Sequence, residues 1–274
     1  MSVNEEPGTC AAHVNPGTPT ASDNCGSPTV SGSRSDGKPL SDPYPLGTTT
    51  ITWTATDSSG NQSSCTQTIT VIDNVPPTIT FDSLTIFLNN LTVVFTTNSV
   101  TINGTTYPFN GTSCTHNGYT FSFNGSTLTI TYNNHSSSYT FSGKTLVLWT
   151  PTHQYQTVKV DDLIASASDD CDPGVDRSDV RITQVTSDEP DDIAGGGDGN
   201  TVNDMVIAPG CTSVQLRAER NGNGNGRVYT ITFKVRDASG NTTTATSKLK
   251  VFASSLNVVD DGPQNTVNGT CPLP

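Results

Sequence analysis

One strand-turn unit is written twice in this chain, and that repeat constrains the fold more than any other feature. Thr54-Ala-Thr-Asp-Ser-Ser-Gly-Asn61 and Lys234-Val-Arg-Asp-Ala-Ser-Gly-Asn241 each lead into a Thr/Ser-rich strand that ends in Val. Gly supplies the positive φ of a tight turn, and Asp and Asn side chains can bond the local amides. The upstream halves match as well, Thr20-Ala-Ser-Asp-Asn-Cys25 against Ser166-Ala-Ser-Asp-Asp-Cys171. Duplication of this kind predicts tandem modules. The flanking stretches alternate with a period of two: Ile51, Trp53 and Ala55 share one face of 48–56, and 66–72, 228–235 and 244–251 alternate likewise. The best helix candidate, 160–167, is too short to alter the class. The expected fold is all-β, with tandem sandwiches at 3–75 and 148–252.

Between the copies lies a different segment, 78–147, after the stiff linker Asp73-Asn-Val-Pro-Pro77. Its only charged residues are Asp82 and Lys144, and Asn-Gly occurs at 103–104, 110–111, 117–118 and 124–125. Asn-Gly between alternating strands is the strongest short hairpin signal, so a β-meander is expected. The tail, 253–274, is expected to be extended and partly mobile, or the start of a next module.

The net charge of -12 and the absence of a basic stripe argue against nucleic acid as a partner and favour metal cations. No apolar run reaches the length of a membrane span, so membrane insertion is not expected. The start lacks the basic and apolar regions of a signal peptide, which suggests a piece of a longer secreted chain. Seven cysteines without a CxxC pair favour disulfides over zinc, with at least one thiol free or paired outside this chain.

These residues resemble the HYR (hyalin repeat) domain, an immunoglobulin-like sandwich of secreted and surface proteins. The matching stretches are Ala21-Ser-Asp-Asn-Cys25, Pro45-Leu-Gly-Thr-Thr-Thr-Ile-Thr-Trp-Thr-Ala-Thr-Asp-Ser-Ser-Gly-Asn61 and Ser64-Cys-Thr-Gln-Thr-Ile-Thr-Val-Ile-Asp73. The family's usual Cys-Pro opening strand is missing. The last module is similar to HYR-related repeats of large bacterial secreted proteins, through Leu148-Trp-Thr-Pro-Thr-His153, Ala167-Ser-Asp-Asp-Cys-Asp172, Val185-Thr-Ser-Asp-Glu-Pro190, Leu216-Arg-Ala-Glu-Arg220 and Gly226-Arg-Val-Tyr-Thr-Ile-Thr-Phe233. The resemblance implies tandem immunoglobulin-like β-sandwiches, a structural or adhesive role and no catalytic residues. It also implies a Cys25–Cys65 disulfide, because the two loops fall at one end of such a sandwich. Cys171 then turns to Cys211, and Cys10, Cys114 and Cys271 stay unassigned.

Thirteen of the 25 acids lie between Lys159 and Asp204, opposed only by Lys159, Arg177 and Arg181. Such crowding either stays solvated or gathers hard cations, and calcium takes six to eight oxygens in flexible geometry. The candidate ligands are Asp169, Asp170, Asp172, Asp176 and Asp179 on one loop, and Asp188, Glu189, Asp191 and Asp198 on another. A solvated acidic loop is the plainer alternative. Asp57 and Asp237, in the repeated turns, are read as turn formers rather than ligands. A glycosidase-type carboxylate pair lacks a groove, and neither Gly-x-Ser-x-Gly nor His-Glu-x-x-His occurs, so no enzyme is expected, with an accessory region of a larger secreted enzyme as an alternative. Tyr119, Phe121 and Tyr132 are candidates for stacking on a glycan or protein ligand, against the plainer reading that they form the segment's own core. Self-association into a fibre is a further expectation, with the tail of one chain completing the sandwich of the next.

Overall fold

A computed structural model describes residues 1–81, 152–191, 201–222, 224–251 and 258–274. Within 82–151 it describes the strands named below and the side chains of nine residues, Phe121 among them. The chain divides into two compact units. Unit 1 comprises Met1–Pro76, Asp169–Pro173 and Asp237–Asn241, and unit 2 comprises Pro77–Ser168, Gly174–Arg236 and Thr242–Pro274.

Unit 1 holds β1 (Ser2–Asn4), β2 (Ala11–Ala12), β3 (Thr29–Arg34), β4 (Tyr44–Pro45), β5 (Gly47–Thr56) and β6 (Gln62–Ile72). The main sheet runs β1-β6-β5-β3, and β2 pairs with β4. The alternation in β5 buries Ile51 and Trp53 with Ala12, Tyr44, Ile69 and Val71, as half-buried strands require. The Trp53 Nε1 donates to Gln67 Oε1 at 2.8 Å, so its polar atom is satisfied inside the core. Arg34 is buried under the Tyr44 ring, bonded to Asp36 and to the carbonyls of Pro39, Asp42 and Pro43. An opening strand is present as β1, without the family's cysteine, and pairs parallel with β6 from Ser2↔Thr70 to Asn4↔Ile72.

Unit 2 begins with β7 (Thr78–Thr80), which pairs with β18 (Ser166–Ser168). The middle segment forms two antiparallel four-stranded sheets. One contains β8 (Leu84–Leu88), β9 (Leu91–Phe95), β10 (Ser99–Ile102) and β11 (Thr105–Pro108). The other contains β12 (Ser113–His116), β13 (Tyr119–Phe123), β14 (Thr127–Tyr132) and β15 (His135–Thr140). Ile102 pairs with Thr105 and His116 with Tyr119 across two of the Asn-Gly pairs. The sandwich proper has a five-stranded sheet, β16 (Leu146–Trp149), β23 (Thr242–Val251), β22 (Arg227–Arg236), β19 (Arg181–Ser187) and β24 (Asn265–Asn268) in that order. A second sheet orders β17 (Tyr155–Lys159), β21 (Ser213–Arg217) and β20 (Met205–Ile207). The only α-helical element among the described residues is α1, Val160–Leu163. Val185, Leu216, Ile231, Phe233, Val235 and Leu249 are fully buried between the sheets.

The tail departs from expectation. Its β24 pairs with β19 through Gln184↔Asn268 to Ser187↔Asn265, and Cys271 is bonded to Cys211. Both chain ends are therefore paired within the chain, and the unpaired ends on which the fibre expectation was built are absent from the described residues.

Candidate metal centre

Two acidic regions emerge in the structure, and they differ in what neutralises them. The first lies in unit 1. Asp73 follows β6, Asp169 opens the 169–173 segment, and Asp237 opens the second Ser-Gly-Asn turn. Carboxylate oxygens of these three lie within 4.8 Å of one another. Asp73, Asp237 and the adjacent Glu5 are almost completely buried. Glu5 hydrogen bonds to Asp73, and burial, that bond and the surrounding negative charge push its carboxyl up to about 7. Burial also raises Asp169, against the backbone amides of Cys171 and Asp172 that donate to its Oδ1 at 2.9 and 2.8 Å. Glu5 Oε1 and Asp169 Oδ2 are buried without any hydrogen-bond partner. Among the described residues, no Lys, Arg or His pairs with Glu5, Asp73, Asp169 or Asp237.

Local backbone chemistry explains how the carboxylates are aimed. Asp237 Oδ1 accepts from Asn241 N at 2.8 Å, and its Oδ2 accepts from the Asn241 amide at 2.9 Å. That amide also reaches Asp73. Asp170 and Asp172 flank the centre, accepting from Gly8 N at 3.0 Å and Ala238 N at 2.9 Å. The Cys10–Cys171 disulfide ties the 169–173 segment to the N-terminal body of unit 1.

The second region lies in unit 2, and there Glu189, Asp204 and Glu219 lie against arginines, while Asp188 Oδ2 and Glu219 Oε2 have no hydrogen-bond partner. Arg227, fully buried, donates to Glu189 at 3.1 Å, to Asp204, to the Tyr229 hydroxyl at 3.0 Å and to the Pro190 carbonyl at 3.0 Å. Arg217 approaches Asp204 at 3.3 Å and Glu219 at 3.7 Å. Glu219 is fully buried; desolvation and its bond to Asp204 raise it to about 7. Asp188 Oδ1 accepts from Val228 N at 2.6 Å, and burial raises its carboxyl to about 6.

The sequence-derived ligand set therefore separates. Asp169 lies in the centre, and Asp170 and Asp172 lie beside it. Asp176 and Asp179 do not join it: Asp176 caps a short 3-10 turn by accepting from Ser178 N at 2.6 Å, and Asp179 returns a bond to Asp176 N at 3.0 Å. Glu189 pairs with Arg227, and Asp191 accepts from Asn203 N, Asp204 N and the Asn265 amide. Asp188 belongs to this unit 2 region, and Asp198 lies outside the described residues. Glu5 and Asp73 were missed because single acids 68 positions apart carry no local signal. Asp237 was read as a turn former, which it is, but its burial beside Asp73 and Asp169 was invisible in the repeat.

The expected cysteine pairs are corrected. Cys171 bonds Cys10, and Cys211 bonds Cys271; Cys171 belongs to unit 1 and Cys211 to unit 2. Cys25 and Cys65 are free and exposed. Cys25 sits in a turn bridged from Asp23 to Gly26, off the sheet that carries Cys65. Of the aromatic candidates, Phe121 is corrected: it is fully buried. Tyr119 and Tyr132 are paired in the β13–β14 ladder, and their side chains lie outside the described residues.

The chain is 62% identical over 42 residues to the "Sushi, von Willebrand factor type A, EGF and pentraxin domain-containing protein 1" of Rattus norvegicus, and 64% identical over 36 residues to that of Mus musculus. These matches cover 15% and 13% of this chain and 1% of each relative. Both relatives are mammalian, so the bacterial setting suggested by the C-terminal resemblance finds no support in them. Among solved structures, the protocadherin GammaB4 extracellular domain is similar at 14% identity and TM-score 0.24, over 76% of this chain and 38% of that one. The N-terminal four Ig domains of Dscam1 isoform 6.9 are similar at 9% identity and TM-score 0.20, over 92% and 75%. Scores that low carry no argument about this fold. The family profile described as "HYR domain" matches residues 3–71, the span of β1 to β6, and the segment 3–71 of this chain is an HYR domain.

Proposed function

We propose that the chain is a non-catalytic structural or adhesive module of an extracellular protein, built from an HYR sandwich and a second β-sandwich and supported by bound calcium. The HYR domain at 3–71 is the observation that carries this reading. The carboxylates with the most perturbed protonation, Glu5, Asp188 and Glu219, are all buried. A catalytic acid or base has to reach its substrate, and these do not. Two native disulfides suit an oxidising, extracellular setting, and no helix among the described residues is long and apolar enough to cross a membrane. For partners, the reading is a second copy of the chain or a surface protein, joined through the strands that end the middle sheets, β8, β11, β12 and β15. Edge strands are templates for strand addition. Sedimentation velocity across a concentration series is the test. The expected result is reversible association that weakens when Ser137 on β15 is replaced by Pro, which removes a ladder donor. Monomer at every concentration, with and without calcium, would remove the self-association clause.

A further inference from the structure

We infer that Glu5, Asp73, Asp169 and Asp237 form one calcium site in unit 1. The inference rests on the calcium clause of the reading above and is independent of adhesion. Its geometric basis is the convergence of three carboxylates from three separate segments to within 4.8 Å of one another. Calcium–oxygen distances of about 2.3–2.6 Å put opposing ligands about 5 Å apart, so oxygens this close fit around a single ion.

The independent observation is the unpartnered oxygen. Glu5 lies outside that group of three carboxylates, but it is 6% exposed, its Oε1 has no donor, and its carboxyl meets that of Asp73. Buried carboxylate oxygens are normally hydrogen-bonded or paired, because leaving them bare carries the full desolvation penalty. Asp169 Oδ2 is bare in the same place. Four acids with no pairing cation among the described residues lack only positive charge.

Donor chemistry selects the metal. All four groups offer oxygen. The nearby sulfurs of Cys10 and Cys171 are joined in a disulfide and provide no thiolate, which argues against zinc. A buried set of several carboxylates suits calcium better than magnesium, which keeps much of its water and binds through one or two carboxylates.

The first copy of the repeated turn is an internal control. Asp57 makes the same turn bonds, accepting from Ser59 N and Asn61 N at 2.9 and 2.8 Å and from the Asn61 amide at 2.7 Å. Its carboxyl is held low by those bonds, chiefly that of Asn61. No other carboxylate joins it in a cluster among the described residues. The turn alone therefore makes no site; convergence with Asp73 and Asp169 does. In unit 1 the ion would hold 169–173 and 237–241 against the N-terminal body, a task the Cys10–Cys171 bond performs for the first of these alone.

The experiment uses the full chain with its disulfides intact. Thermal melts at neutral pH in millimolar calcium and in chelator are expected to differ by about 5 °C or more in midpoint. Glu5→Gln and Asp169→Asn should each abolish the difference, and Asp57→Asn should preserve it. Amide NMR shifts of the wild type during calcium titration should centre on Cys171, Asp172 and Asn241, which keeps the test decisive even if a variant does not fold. Superimposable melts with no amide shifts would overturn the site, as would shifts centred elsewhere or a response that survives both substitutions. A chain that binds calcium at these residues yet stays monomeric would leave the site standing and remove only self-association.

Discussion

Arg227 shows what a single residue does in this molecule. It is a fully buried cation whose guanidinium faces Glu189, Asp204, the Tyr229 hydroxyl and the Pro190 carbonyl. Buried ion pairs gain little over well-packed apolar residues, but removing one partner strands the others. Arg227→Met should therefore destabilise unit 2 by about 3–5 kcal/mol, read as a shift of the urea midpoint with an unchanged slope. The same contrast separates the two acidic regions. Bare carboxylate oxygens occur in both, at Asp188 and Glu219 as at Glu5 and Asp169, but Glu189, Asp204 and Glu219 lie against arginines, whereas no cation among the described residues pairs with the unit 1 acids.

At the scale of the element, β3 and β5 illustrate close packing within one sheet. Gly32 pairs with Trp53 in the ladder, and a Cβ at position 32 would lie 2.7 Å from the indole ring. Trp53 is held by its bond to Gln67 and cannot simply swing away. Gly32→Ala should cost about 1–3 kcal/mol as overpacking, measured by calorimetry, with the loss assigned to unit 1. The strands themselves were legible: the alternation of 48–56 and 228–235 gives β5 and β22 and their buried faces. The lost signals were β1, β2 and β24, of two to four residues each, too short for a period to appear.

For the whole molecule, the C-terminal segment closes unit 2. Gly269 packs so tightly on Ile182 that a Cβ there would meet its carbonyl oxygen at 2.3 Å, and Cys271 is locked to Cys211. Replacing both Cys211 and Cys271 with Ser should cost roughly 2–4 kcal/mol. Hydrogen exchange at the 265–268 amides should rise sharply while that of β22 changes little. Equal protection of 265–268 in both proteins would mean that pairing with β19 suffices to hold the tail.

The sequence by itself determined the all-β class, the two sandwiches and the repeated turns, because alternation and turn chemistry are local and each residue reports its own role. It also pointed to Asp169, Asp170 and Asp172, since crowded acids are visible in one dimension. The tertiary structure decided which acids share a centre and which cysteines meet. Glu5, Asp73 and Asp237 come together, and Cys10 finds Cys171 across 161 positions, because folding sets proximity through long-range packing. Charge balance is decided in the same way. Glu189 looked as suited to a cation as Asp169, and only the fold supplied an arginine to it.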